Sequence, residues 1–151
     1  NKQINVLAAT EGEEVENFQF KSVTIKPGKI LLPSGLHLHY HDLHEEDDGW
    51  VYTYGGKPKR LYGGALLENI TQALARIVVM DAARRLRPKM EFYGAQLALQ
   101  VHDELVYVVP EDVGSVCKQI VLDEMLARPT WAKSLPLDAE ADLGRSYGDA
   151  K

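Results

Sequence analysis

Two neighbouring carboxylates behind a histidine, His102-Asp103-Glu104, sit between alternating Leu97, Leu99 and Val101 on one side and the apolar run Leu105 to Val109 on the other. That is an unusual place for an acid pair. Turns favour Gly, Asn and Asp, and two adjacent anions repel each other. A hard divalent cation such as Mg²⁺ would relieve the repulsion, and it takes oxygen ligands. Neighbours in extended chain point to opposite sides, so one acid is expected to be the direct ligand, and Asp103 is the choice. A solvated turn whose acids touch nothing remains the other reading.

A second group is His37-Leu38-His39-Tyr40-His41-Asp42-Leu43-His44. Histidines in His-x-His spacing on one strand face can chelate zinc. The segment resembles a shuffled form of the His-x-His-x-Asp-His motif of metallo-β-lactamases, with His41 and Asp42 in reverse order. That fold needs two further downstream histidines, and only His102 remains. A zinc hydrolase using His37, His39 and His41 is the minor alternative, and an exposed strand face carrying incidental histidines is the plain one. A third group is Asn69, Gln72 and Arg76, spaced i, i+3 and i+7 and so aligned along one helix face. Amide side chains can meet the minor-groove acceptors common to every base pair. Equally, such a stripe can simply face water.

The elements that must carry these groups follow from periodicity. Phe18, Phe20, Val23 and Ile25 form a strand-like stretch, Lys26 to Lys29 a turn, Ile30 to Leu32 a short strand, and Pro33-Ser34-Gly35 a second turn. Leu36, Leu38 and Tyr40 alternate with histidines, the period of a half-exposed strand. Trp50 to Tyr54 is a further strand, Gly55 to Lys59 a turn, and the acidic run Glu45 to Asp48 a solvated loop. Residues 1–60 are thus hairpin-rich. The period then changes. Leu66, Ile70, Ala73, Leu74, Ile77 and Val78 predict a helix from about Gly64 to Leu86, ending before Pro88. Residues 96–109 predict a hairpin. Asp112 is a candidate N-cap for a second helix with Val113, Val116, Cys117 and Ile120 inward, ending before Pro129. Leu135, Leu137, Ala139, Ala141 and Leu143 alternate with polar or small residues and predict a closing strand. The class is α+β, an antiparallel sheet with helices packed on one face.

With 151 residues, 45% hydrophobic and 26% charged, the chain has the make-up of one ordinary globular unit and not of a disordered or fibrous one. Its apolar runs are too short to span a membrane, and no secretory leader is visible. Cys117 is the single cysteine, which excludes an internal disulfide and a thiolate-rich metal site, and a reducing, cytoplasmic setting is expected. The first methionine is Met80 and the chain opens on Asn1, so it is expected to be a piece of a longer protein. The net charge of −5 argues against nucleic-acid binding by bulk charge. However, residues 57–89 hold eight basic and only two acidic residues, a local +6 that leaves −11 elsewhere. A basic surface on an acidic body suits phosphate contact, although it also suits a solvated helix face.

Gln100-Val101-His102-Asp103-Glu104-Leu105-Val106 closely resembles motif C of family A DNA polymerases, the bacterial DNA polymerase I type. Leu67-Glu68-Asn69-Ile70-Thr71-Gln72-Ala73-Leu74-Ala75-Arg76 resembles the palm helix that precedes it in that family. The closing alternating segment with Tyr147-Gly148-Asp149 is similar to the family's last palm strand. The resemblance covers about Leu61 to Lys151, so residues 61–151 are expected to form a palm core, with 1–60 a phage-like elaboration of it. It implies two-metal nucleotidyl transfer with Mg²⁺ on primer-template DNA and a deoxynucleoside triphosphate. Asp103 is then the metal ligand, Glu104 an auxiliary acid, His102 a neighbour of the primer terminus, and Gln72 a minor-groove contact, with Asn69 and Arg76 beside it. The family more often has Asn four residues before that Gln, where this chain has Glu68. Its upstream helix Arg falls at Gly64, with Arg60 or Arg76 as possible substitutes. No motif A aspartate, fingers helix or thumb is visible. The chain alone is therefore expected to be inactive, its missing parts supplied by the rest of the parent polymerase. A non-enzymatic nucleic-acid-binding or scaffold module of the same fold is the alternative.

Overall fold

The computed structural model describes residues 7–8, 18–20 and 22–150. The chain divides into two compact units, Asn1–Leu74 and Ala75–Lys151, and the division falls inside a helix. The α+β class holds, with the strands shared among three small antiparallel sheets instead of one.

In the first unit, β1 (Phe18–Phe20), β2 (Val23–Lys26), β3 (Lys29–Leu31) and β4 (His37–His39) form a four-stranded meander. The stretch expected to be one strand over residues 18–25 is thus a hairpin, with Phe20 opposite Val23. Val23, Ile25, Ile30 and Leu32 are buried, as their alternation requires. The histidine segment also splits. β4 ends at His39, and β5 (His41–Glu46) opens a second sheet with β6 (Gly49–Tyr54) and β7 (Lys57–Leu61). A register shift between His41 and His44, with Asp42 at a φ of 52°, marks a bulge at that changeover. The acidic run is therefore half strand: Glu45 and Glu46 belong to β5, and only Asp47-Asp48 form the turn.

The turn expected over Gly55 to Lys59 is only Gly55-Gly56. Both have positive φ, 59° and 74°, as a two-residue type I′ hairpin loop needs. Lys57-Pro58-Lys59-Arg60 then runs as an edge strand. Such a strand accepts proline because it has an unpaired side.

Helix α1 spans Gly63–Phe92 and crosses the division between the units. It does not stop before Pro88. Pro88 faces water, where the carbonyl that loses its helical donor can be solvated, while Leu86 and Met90 are buried on the opposite side and hold the last turns in the core. The helix ends at Gly94, at a φ of 72°. There the Ala95 N–H donates to the Met90 carbonyl and the Gly94 N–H to that of Glu91, both at 3.0 Å, the bond pair of a Schellman motif.

In the second unit β8 (Gln96–Val101) pairs with β9 (Glu104–Val108) as the predicted hairpin. Helix α2 (Gly114–Met125) follows a short 3-10 turn over Glu111–Val113, so Asp112 lies inside that turn and does not cap the helix. Leu86, Met90, Ala95 and Cys117 form the core, with Tyr93, Leu105, Tyr107, Val109, Val113, Ile120 and Val121 packed against it. Val116 is exposed and drops out of the expected stripe. Burial pushes the Cys117 thiol above its ordinary pKa, in keeping with a packing role. The largely buried Glu124 carboxylate, 13% exposed, accepts from Lys89 at 2.5 Å and Arg85 at 2.6 Å, clamping α2 to α1. Those two cations hold its pKa below the usual carboxylate value.

The predicted closing strand makes no ladder. Residues 135–144 have no regular hydrogen-bonded structure, yet Leu135, Leu137, Ala139 and Ala141 are half-buried and the residues between them exposed. Alternation records which way side chains face. It does not record whether a neighbouring strand is there to pair.

Candidate functional site

The core that β9 covers decides where the acid pair stands. Leu105, Tyr107 and Val109 pack on α1 and α2, and this anchors β9 and fixes the hairpin's register. Val101 is opposite Glu104, so His102-Asp103 is a two-residue loop. Of the two, only His102 has a positive φ, 50°. That left-handed position is one where a two-residue hairpin usually places glycine, and a histidine there carries backbone strain.

The loop presents His102 and Asp103 to solvent and leaves Glu104 half-buried as the first residue of β9. The Tyr147 hydroxyl donates to Glu104 Oε2 at 2.8 Å, across 43 positions of sequence. One carboxylate oxygen of Glu104 is thereby engaged. The sequence marks this partner only weakly, since a lone tyrosine in a Gly-rich tail has no periodic pattern to single it out. Gln100, on β8 beside the loop, has its Nε2 buried without a partner among the described residues.

Asp103 and Glu104 together offer hard oxygen donors of the type Mg²⁺ takes. They are two carboxylates, and among the described residues no group of three or more His, Cys, Asp or Glu is placed to hold a metal ion. The pair therefore fits part of a metal site and not a complete cage. The histidine strand fares differently. His37 and His39 have ring centroids 5.8 Å apart, and His39 stacks on His41 at 5.6 Å, but these rings form no metal-holding group. The zinc alternative loses its geometric basis. His44 is tied to its own strand, through Nδ1 to the Asp42 carbonyl at 2.6 Å and Nε2 to Glu46 at 3.2 Å, and these bonds raise its pKa.

The polar stripe on α1 separates by environment. Asn69 is half-buried and its amide donates to the Tyr40 hydroxyl at 3.1 Å. Tyr40 in turn meets the Tyr52 ring edge-on at 5.0 Å, which ties β6 to the start of α1. Gln72 is exposed and donates to Glu68 one helical turn back at 3.0 Å, and Arg76 is exposed. The loop carboxylates belong to the second unit, as does Arg76, whereas Asn69 and Gln72 belong to the first.

No model of a known protein family matches the chain, and no solved structure matches it. Curated proteins do. The chain is 34% identical over 130 residues to a DNA polymerase of Bacillus phage SP02, a match covering 78% of this chain and 19% of that protein. It is 38% identical over 80 residues to the thermostable DNA polymerase I of Thermus filiformis, covering 53% of this chain and 9% of the relative. It is 33% identical over 84 residues to that of Thermus thermophilus, with the same coverage. The chain thus spans between about a tenth and a fifth of the length of these relatives. In its Gln100–Val106 motif and in this kinship alike, the chain is a relative of the DNA polymerases of the bacterial DNA polymerase I type.

Proposed function

We propose that this chain is the palm portion of a family A, DNA-directed DNA polymerase, and that it acts on primer-template DNA together with fingers, thumb and motif A segments of its parent protein. The observation that carries the reading is the strained two-residue loop that holds Asp103 in solvent beside Glu104. A purely structural hairpin has no use for a left-handed histidine followed by two acids.

Asp103 is the residue that would hold Mg²⁺, with Glu104 as an auxiliary acid. A pair of such ions, when bound, supplies activation of the primer 3′-hydroxyl and stabilises the leaving pyrophosphate. The protein's own contribution is positional. Packing of Leu105 and Tyr107 fixes the base of the hairpin, and Tyr147 limits the freedom of Glu104. His102, exposed at the loop, lies beside the primer terminus, while Gln72, with Arg76 and the partly engaged Asn69, contacts the duplex. A second aspartate from outside this chain completes the ion pair, so the chain by itself does not incorporate nucleotides.

Calorimetry with Mn²⁺ on this chain tests the site directly. Binding in the millimolar range that is lost in Asp103→Ala is expected. Micromolar or tighter binding that survives Asp103→Ala would overturn the assignment.

A further inference from the structure

The basic character of residues 57–89 is largely neutralised within the fold. Arg60 donates to the Asp48 carboxylate at 2.8 Å, Arg87 to Glu91 at 2.9 Å, and Arg85 and Lys89 share Glu124, while Arg84 lies 3.8 Å from Asp81. Among the described residues, no carboxylate lies within ion-pair reach of Lys57, Lys59 or Arg76. Two of these three cations stand on one edge strand, β7, in the first unit.

Lys57 and Lys59 project from the same face of β7, about 6.6 Å apart along the strand. Their cross-strand neighbours on β6 are Tyr54 and Tyr52. Tyr54 is 63% exposed, and Lys59 Nζ lies 4.7 Å from the centre of its ring. The Gly55-Gly56 turn at this end carries no side chain, so another backbone can approach closely. At the far end of the same sheet the Asp47-Asp48 turn and Glu45-Glu46 are acidic. The sheet is therefore charge-polarised along β6, with the cations and the exposed ring together at the glycine end.

The geometry points to the β6–β7 hairpin as a contact for an unpaired stretch of a DNA strand. Lys57 and Lys59 meet successive phosphates, and Tyr54 offers its ring to a base. Aromatic stacking beside a basic track is how single strands are held without sequence preference, and the acidic far end repels the strand and so fixes which end it meets. This contact rests on the reading that the chain works on DNA, but it uses none of the residues of the Asp103 loop. A charged, proline-bearing edge also guards a sheet against self-pairing, so the competing role for these lysines is edge protection.

Fluorescence anisotropy of a labelled single-stranded oligodeoxynucleotide, in metal-free buffer across a salt series, separates the two. The double variant Lys57→Gln/Lys59→Gln should weaken binding about tenfold at low salt and flatten the slope of log affinity against log salt by about 1.4, the share of two phosphates. Tyr54→Ala should weaken binding by roughly fivefold and leave the slope unchanged. Lys133→Gln, an exposed cation in the second unit, should do neither. Unchanged affinity in the double variant, an equal loss in Lys133→Gln, or no binding by the parent chain at low salt would overturn the proposal. So would self-association of the double variant with DNA binding intact. The oligonucleotide assay is run without metal and varies no residue of the Asp103 loop, so failure here and failure of the metal-site assignment register in different experiments.

Discussion

Among single residues, His102 and the two acids after it decide how the hairpin tip is held. A left-handed φ of 50° at a non-glycine residue costs on the order of 1 kcal/mol. His102→Gly should therefore leave the fold as stable or raise its stability by about 0.5–1 kcal/mol, read by chemical denaturation. A clear loss of stability would mean the imidazole is needed for folding, and the strain would no longer point to function. The sequence shows the acids and their place at a hairpin tip because apolar strands flank them. It does not show the strain, which belongs to the backbone, nor Tyr147, whose bond to Glu104 spans 43 positions. It also groups Asn69 with Gln72 by spacing alone. The partner that draws Asn69 inward, Tyr40, lies 29 positions away and leaves no mark on the helical period.

At the scale of elements, helix α1 shows where local rules yield to packing. Proline normally ends a helix, and the periodicity up to Leu86 places the end there. Burial of Leu86 and Met90 carries the helix past Pro88 to Phe92. Pro88→Ala should then restore the missing hydrogen bond at an exposed position and raise stability by about 1 kcal/mol, measured by thermal denaturation. A loss of stability would contradict this view of the helix. The Glu124 clamp offers a pH test. Its carboxyl is held below the usual value by Lys89 and Arg85, so its contribution is present above the ordinary carboxylate pKa and is lost as pH falls through the lowered one. Glu124→Gln should cost about 1–2 kcal/mol at neutral pH, since both cations are partly exposed, and the gap to the parent should close in acid. A gap constant with pH would assign the loss to packing. The closing segment is the opposite case to α1. Its alternation is correct in burial from Leu135 to Ala141, yet it forms no ladder, because pairing depends on a neighbour that periodicity cannot reveal.

At the scale of the molecule, the chain is two compact units joined through one helix, and it matches a tenth to a fifth of each relative's length. On β8, next to the acid loop, Leu97, Leu99 and Val101 remain 48%, 40% and 41% exposed, which supports the reading that further parts of a parent polymerase cover this hairpin. The proposed action of Asp103 on metal ions during nucleotide incorporation is tested most directly in the parent polymerase. Single-turnover incorporation should fall at least about a thousandfold in Asp103→Ala, with the duplex dissociation constant nearly unchanged, because charge stabilisation by the ions is needed mainly in the transition state. Glu104→Ala should be milder, and Gln72→Ala should weaken duplex binding while leaving residual chemistry. If Glu104→Ala matched Asp103→Ala, the principal ligand would be misassigned, and if neither changed the incorporation rate, the polymerase reading would be contradicted.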